Sequence, residues 1–487
     1  MSRVFEIDEL ARLISSHLLS TDRRTLVSLA CTCRALEVPA LSSLWETQCS
    51  FTTLIRFLPV TDEEVRDEVS HPFHLSLTLQ ITQHDALGNP WYRFRRYASW
   101  MCQLSLTKGN PRVADIPANR LLMGSTNGLL CPNLCQLYCH ITEPILPLIP
   151  LFLSPRLTHL TLLDYKYIAR PDLGPILQVL PTQFLQDLFL NFGPEAMKDF
   201  ADEISQIIQR CGNSLRRLHA PMPLGEAAVH HLLSLTDLQI WENVHSVPPI
   251  TQPSSTIFPS LRALTLGSKE AQKWIPWLTR RKTAVRSADD RPLEHSRLQT
   301  TLTHLGFLES VSVDAAFISP LLLFPNLVIL DVKSNCWQGL DCAFSLTNQD
   351  VVDLSSALPR LERLDLGPPC AANAACTTVS CFRALSINCK LLRSLRIHFN
   401  TTNLVNDVRS LSADPDFRDA RSLPTKCPLK YISVGHLPFP REMSDEEITT
   451  VARVLMDIFP SLLNVVSYVN WDLLTSEIGR LQETFSN

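Results

Sequence analysis

Five clear copies of one pattern occur in this chain, in each of which a proline stands two residues before a leucine that opens a short apolar segment. The pairs are Pro155 with Leu157, Pro259 with Leu261, Pro325 with Leu327, Pro359 with Leu361, and Pro460 with Leu462. An apolar residue follows each leucine at +3, and another at +5 in the first four copies, whereas the fifth has Ser467 there. Because proline cannot continue a helix and holds the preceding residue extended, a helix ends at each copy. The apolar spacing after it predicts one short strand with alternate residues facing inward.

Helix, proline and short strand in repetition predict a solenoid of leucine-rich repeats. No single repeat of this kind closes its own core, so stability comes from stacking neighbours. When the proline is not required, the same pattern also begins at Leu185, Leu215, Leu235, Leu308, Leu392 and Leu429, more weakly at Met101 and Leu134, with a possible entry strand at Leu75, Leu77 and Leu79. We therefore predict an α/β fold of short parallel strands with outer helices over residues 73–487, preceded by a connector over residues 51–72 and a small three-helix domain over residues 1–50.

Charge and cysteine usage restrict the classes of partner and compartment. The formal net charge of the 487 residues is -4, which gives no electrostatic reason to expect binding to nucleic acid or to an anionic membrane. The 15 cysteines and an amino terminus unlike a signal peptide predict reduced thiols in the cytoplasm, the nucleus or both. The longest apolar stretch, residues 145–153, contains Pro147 and Pro150 and is too short to span a bilayer.

Two groups of cysteines resemble features with known roles. Cys211, Cys389 and Cys427 each precede a predicted strand, where a small apolar thiol packs at a helix end. A second group, followed by His140, raises the possibility of a metal site and consists of Cys131, Cys135 and Cys139. Its spacing differs from the C-x2-C pairs of structural zinc, so we interpret these residues as core thiols and predict no metal.

Catalytic motifs are absent from the sequence. It has no P-loop, no G-x-S-x-G elbow, no H-E-x-x-H and no dinucleotide fingerprint, so we predict a non-catalytic protein without a cofactor. The aromatic and basic stretch from Trp91 to Tyr97 has the composition of a single-strand nucleic-acid binder. It stands alone in an acidic protein, which favours an amphipathic helix instead.

The strand residues between the leucines are predicted to point out of the core, onto the concave face of the solenoid. This face carries both charges and aromatic surface, a mixture that suits a protein partner better than a polyanion. The alternative interpretation is that most of these side chains are simply solvated. The predicted substrate-binding residues are Asp187, Arg217, His219, Asp237, Asp331, Arg363, Asp365, Arg396 and Tyr431.

The first fifty residues have a helical rather than a strand pattern. Apolar stripes predict one helix ending near Ser20 and a second that carries Leu26 and Leu29. Pro39 is predicted to open a third helix at its first turn. Three short helices lie at the limit of what folds alone, so this unit is expected to complete its apolar surface against another element or protein.

The order of residues in this segment resembles an F-box, particularly those of mushroom-forming fungi. The resemblance rests on Ala30-Cys31-Thr32-Cys33-Arg34-Ala35-Leu36, Pro39-Ala40-Leu41 and Leu44-Trp45-Glu46. An F-box followed by leucine-rich repeats is the domain order of F-box substrate receptors, so the resemblance covers nearly the whole chain. It departs from the family at Asp8, where the usual Leu-Pro would place proline.

The resemblance implies a function without an active site on this chain. F-box helices dock on a Skp-type adaptor, and through it on a cullin, while the repeats hold a protein substrate for ubiquitin transfer. The adaptor-facing residues that it implies are Ile7, Leu10, Ile14, Leu18, Leu26, Leu29, Cys33 and Leu36. The alternative is a non-catalytic repeat scaffold that engages no ubiquitin ligase.

Overall fold

The structure is a computed structural model, and the chain divides into an N-terminal unit, Met1–Ala220, and a C-terminal unit, Pro221–Asn487. The residues that it describes are 8–32, 34–55, 57–58, 91–106, 118–143, 145–164, 173–192, 198–243, 258–267, 297–307, 313–332, 344–367, 376–415, 417, 427–435, 443–467 and 471–486. The possible entry strand at Leu75, Leu77 and Leu79 lies outside the described residues.

Three helices begin the chain: α1 (Asp8–Thr21), α2 (Arg23–Thr32) and α3 (Arg34–Glu46). Asp22 caps α2, since its carboxylate accepts the Arg24 N–H at 2.9 Å and the Thr25 hydroxyl at 2.5 Å. These hydrogen bonds, the one from the Thr25 side chain above all, lower the pKa of Asp22. The small core contains Leu26, Ala30 and Ala40, with Leu18, Leu19, Leu29, Leu41 and Leu44 packed against it.

The third helix begins earlier than the sequence predicted. It begins at Arg34, so Pro39 lies inside the helix and not in its first turn. An interior proline forfeits one backbone hydrogen bond. Here Leu36, Pro39 and Ala40 are all buried, and their packing holds the helix together across the missing bond.

The N-terminal unit continues with six described strands, each parallel to the next and paired in chain order. The strands are β1 (Thr47–Gln48), β2 (Gln103–Leu106), β3 (Gln136–His140), β4 (His159–Leu163), β5 (Asp187–Asn191) and β6 (Arg217–His219). The helices among them are α4 (Thr52–Ile55), α5 (Tyr92–Trp100), α6 (Ala118–Gly124), a 3-10 helix (Leu146–Phe152), α7 (Gly174–Gln178) and α8 (Ala201–Arg210).

The C-terminal unit has eight described strands, again parallel and paired in chain order. They are β7 (Ile240–Asn243), β8 (Ala263–Leu266), β9 (His304–Phe307), β10 (Ile329–Val332), β11 (Arg363–Asp365), β12 (Ser394–Arg396), β13 (Tyr431–Gly435) and β14 (Asn464–Ser467). The helices are α9 (Glu226–Ser234), α10 (Arg297–Thr301), α11 (Ala315–Ile318), a 3-10 helix (Ser319–Leu323), α12 (Asn348–Ala357), α13 (Ser380–Asn388), α14 (Leu404–Ala413), α15 (Asp445–Ile458) and α16 (Asp472–Ser486).

The predicted inward leucines form the core of both units. In β11 and the turn before it, Leu361 and Leu364 are completely buried, and Leu366 is 2% exposed. Burial of one such side chain contributes about 1.5–3 kcal/mol. All five strands marked by a proline are present, and so are the weaker ones predicted from Met101 and Leu134. The prediction of short parallel strands with helices between them is confirmed at this level.

Two of the predicted strands were wrong in register. The copy placed at Leu235 begins instead at Leu238, with Trp241 at +3 and the buried Asn243 at +5. The copy placed at Leu308 has its strand earlier, and its inward residues are Leu302, Leu305 and Phe307. In both strands an aromatic or polar residue occupies an inward position at which the sequence pattern expects an aliphatic residue.

The strand-preceding cysteines are packed as predicted. Cys211, Cys389 and Cys427 are each buried at 1% exposure or less. Their desolvation raises the pKa of the thiols to about 12, 12 and 11 respectively. The Cys427 thiol donates to the carbonyls of Cys389 and Leu392, both at 3.5 Å, and so links one repeat to the one before it.

The last helix covers the final strand. On α16, the Thr475 hydroxyl accepts the Val465 N–H at 3.4 Å and donates to the Val465 carbonyl at 3.2 Å. The Gln482 amide also donates to the Leu462 carbonyl. Side chains of one helix therefore satisfy backbone groups of β14 that no further described strand pairs.

Candidate interaction surfaces

The outward strand residues of the N-terminal unit form two rows in register, about 4.8 Å from strand to strand. The first row contains Gln103, Gln136, His159, Asp187 and Arg217, and the second contains Ser105, Tyr138, Thr161, Phe189 and His219. Three of the predicted substrate-binding residues, Asp187, Arg217 and His219, thus lie on neighbouring strands.

An ion-pair cluster occupies the first row. The Arg217 Nε donates to Asp187 Oδ1 at 2.9 Å, and His159 Nε2 lies 3.0 Å from Asp187 Oδ2. The hydrogen bonds to Asp187 raise the pKa of the Arg217 guanidinium above its ordinary value. Arg217 remains 58% exposed, so the carboxylate orients a cation that still faces solvent.

Aromatic rings line the second row. The rings of Phe189 and His219 stack with centroids 3.9 Å apart, and Tyr138 Oη lies 3.1 Å from His140 Nε2. His159 and Tyr138 belong to this surface, yet they were not among the predicted residues. The register with β5 would have found them, since His159 pairs with Asp187 and Tyr138 lies two strands from Phe189.

The C-terminal unit carries a comparable surface on β10 to β13. Asp331, Asp365 and Arg396 occupy one row, while Arg363 and Tyr431 occupy the row beside it. Arg396 donates to Asp365 Oδ2 at 3.1 Å and to Ser433 Oγ at 3.1 Å. These predicted residues all lie on the outward side of the strands.

Asp237 does not belong to this surface. It lies exposed in a bend three residues before β7, because the repeat begins at Leu238 rather than Leu235. A shift of three residues reverses which side chains face outward. The row positions on β7 belong to Ile240 and Glu242 instead.

The three helices present a different surface from the one predicted. Ile7 and Cys33 lie outside the described residues. Leu26 and Leu36 are buried in the helical core, at 0% and 3% exposure, so neither is available to an adaptor. Ile14, Leu18 and Leu29 are half-buried, and Leu10 is exposed. The large aliphatic side chains that do face solvent are Leu10, Leu13, Val27 and Val38.

Aromatic packing joins these helices to the first repeats. The Trp45 and Tyr97 rings stack with centroids 4.7 Å apart, and Phe57 packs edge-on against Tyr97 at 4.8 Å. Arg96 on α5 reaches Glu37 on α3 at 3.4 Å. The predicted amphipathic helix between early strands is therefore present as α5, and its aromatic rings pack against protein.

No protein-family model and no curated protein matches the chain. Within the described parts of the chain, no group of histidine, cysteine or carboxylate side chains is arranged to hold a metal ion. None of the helices described above combines the length and apolarity needed to cross a bilayer.

Proposed function

We propose that this chain is the substrate-recognition subunit of a Skp–cullin–F-box ubiquitin ligase. The observation that carries the proposal is the three-helix segment, which leaves Leu13 68%, Val27 49% and Val38 44% exposed. Large exposed aliphatic side chains on so small a domain indicate a protein interface. The F-box resemblance of the same segment supports a Skp-type adaptor as the partner.

The repeats then act by positioning rather than by chemistry. A substrate bound on the outward strand surface is held near a charged conjugating enzyme, which raises the effective concentration of its lysines. The packed junction at Trp45 and Tyr97 supports this mechanism, since it fixes the helices to the first repeats. The chain itself supplies no catalytic residue, and it works in the cytoplasm, the nucleus or both.

Adaptor binding is the direct test. The wild-type chain should co-purify with a Skp-type adaptor, and the double variant Leu13→Asp/Val27→Asp should lose it while keeping its fold. Leu473→Asp is the matched control, because Leu473 is 62% exposed on α16, a helix of the C-terminal unit. A variant at Leu26 would not serve, since it would damage the core.

A well-folded wild type that binds no adaptor would favour the second candidate, a non-catalytic repeat scaffold. Asp8, which replaces the usual proline, would then be the first residue to change. Restored binding in Asp8→Pro would identify that departure as the cause.

A further inference from the structure

Four strands at the end of the C-terminal unit share a surface three residues deep. The strand rows are Arg363, Ser394, Tyr431 and Asn464, and then Asp365, Arg396, Ser433 and Val466. The residues just before the strands form an entry row of Glu362, Arg393, Lys430 and Leu463. The last three each donate a backbone N–H to the carbonyl of the residue before them in that row, at 2.8, 3.2 and 2.9 Å.

The character of this surface changes along the rows. Tyr431, Leu463 and Val466 are 48%, 47% and 47% exposed, although their neighbours in the same rows are polar or charged. Helix α16 satisfies the backbone of β14 but leaves Leu463 and Val466 open to solvent. Clustered apolar side chains of this size in water mark an interaction site.

Cationic charge lies beside the apolar side chains. Two carboxylates of the surface are already paired, Glu362 with Arg393 at 3.9 Å and Asp365 with Arg396 at 3.1 Å. Two cations remain, Arg363 and Lys430, and neither forms an ion pair with a described carboxylate. On these four strands the cations therefore outnumber the carboxylates, on a chain of net charge -4, and the next carboxylate in the rows is Asp331 on β10, beside Asp365.

We infer that this surface binds an extended segment of another protein that carries an acidic side chain beside an apolar one. The carboxylate would lie between Arg363 and Lys430, and the apolar side chain would pack on Tyr431 and Val466. Crossing from β11 to β14 covers about 14 Å, which about five extended residues span. The inference deepens the proposed function. Only the role of the bound segment as a degradation signal rests on that function.

The test uses the full chain without any adaptor and a displayed library of random peptides about ten residues long, enough to span the four strands. Enriched peptides should place Asp or Glu within about three residues of an aliphatic or aromatic side chain. Fluorescence anisotropy then gives the Kd of one synthesised peptide. Arg363→Glu/Lys430→Glu should weaken it about tenfold, and added salt should weaken wild-type binding.

Matched variants separate the two halves of the surface. Tyr431→Ala/Val466→Ser should weaken the same peptide about tenfold, independently of salt. Arg453→Glu, which reverses an exposed charge on α15, should leave the Kd unchanged. Thermal unfolding monitors the fold of each variant.

Several outcomes overturn the inference. They are the absence of enriched peptides, enrichment without acidic residues, and unaltered binding by Arg363→Glu/Lys430→Glu. Dimerisation of the wild type that Tyr431→Ala abolishes would assign the surface to a second copy of this chain. If the chain binds the adaptor but enriches no peptide, this inference is wrong and the proposed function stands. If the chain enriches acidic and apolar peptides but binds no adaptor, the ligase role is wrong and this inference stands.

Discussion

The three N-terminal helices and the repeats bury leucine in different ways. On β11, Leu364 has a parallel strand on each side and is completely buried. On α1, Leu10 and Leu13 are 39% and 68% exposed, although Leu10 belongs to the apolar stripe that predicts this helix. A stacked repeat covers its leucines from both sides, whereas a three-helix unit has only one interior. Exposed leucine in the helices therefore indicates an interface more strongly than spacing alone does.

The largest expected effect tests whether the two regions unfold separately. Leu364→Ala and Leu26→Ala should each cost about 2–5 kcal/mol, because both side chains are fully buried. Hydrogen exchange should then show protection lost on β10 to β12 for Leu364→Ala, but only within residues 8–46 for Leu26→Ala. Loss of protection in the C-terminal unit after Leu26→Ala would contradict the comparison.

A second test of the comparison between the helices and the strands uses a buried histidine, which lies in the largely apolar interior of the C-terminal unit. His398 is 2% exposed, packs against Phe344, and has its pKa lowered to about 4 by desolvation. The unfolded chain, with a histidine pKa of about 6.5, therefore binds a proton that the folded chain does not. The free energy of unfolding should therefore be unaffected by His398 above pH about 6.5. It should fall as the pH drops towards 4, by an amount of order 3 kcal/mol.

Urea unfolding at a series of pH values measures this effect. His398→Leu should reduce the pH slope between 4 and 6.5, since the variant has no group to titrate there. Phe344→Leu is the control, because it should lower stability at every pH without changing the slope. An unchanged slope in His398→Leu would assign the acid sensitivity to other groups.

A smaller effect concerns the packing of Gly124, at the end of α6, against Trp91 at the start of α5. A β-carbon at Gly124 would lie 2.5 Å from the Trp91 ring, so Gly124→Ala should cost about 1–3 kcal/mol. Gly479 on α16 has nothing within 4 Å of the same position, and Gly479→Ala should stabilise by about 0.5–1 kcal/mol. Melting temperatures compare the two variants, and equal shifts would mean that the Trp91 ring moves aside easily.

Much of the repeat architecture could be predicted because backbone and side-chain rules agree there. A proline ends the helix, and leucines at fixed spacing then determine which side of the strand is buried. The predicted register was wrong for β7 and β9, because the pattern looked for aliphatic residues and the inward positions hold Trp241 and Phe307. The Asp237 assignment failed for the same reason.

The exposed side of the three helices could be predicted less well. Helical periodicity assigns Leu10, Leu26 and Leu36 to apolar stripes on their helices. It does not determine which of these stripes packs against the other helices and which faces solvent. That depends on how three helices pack, which is a matter of tertiary contacts. Likewise, the ion pairs between Arg217 and Asp187 and between Arg396 and Asp365 depend on strand register across about 30 residues of chain.

The cover that Thr475 and Gln482 place over the last strand also determines how the chain can lengthen. A parallel strand with unsatisfied backbone groups is a template, and any similar strand, including one from another copy, could extend it. With α16 in place, the N–H and the carbonyl of Val465 are already hydrogen-bonded and offer no template to another strand. A chain truncated before Asp472 would instead be prone to polymerise from its carboxyl end.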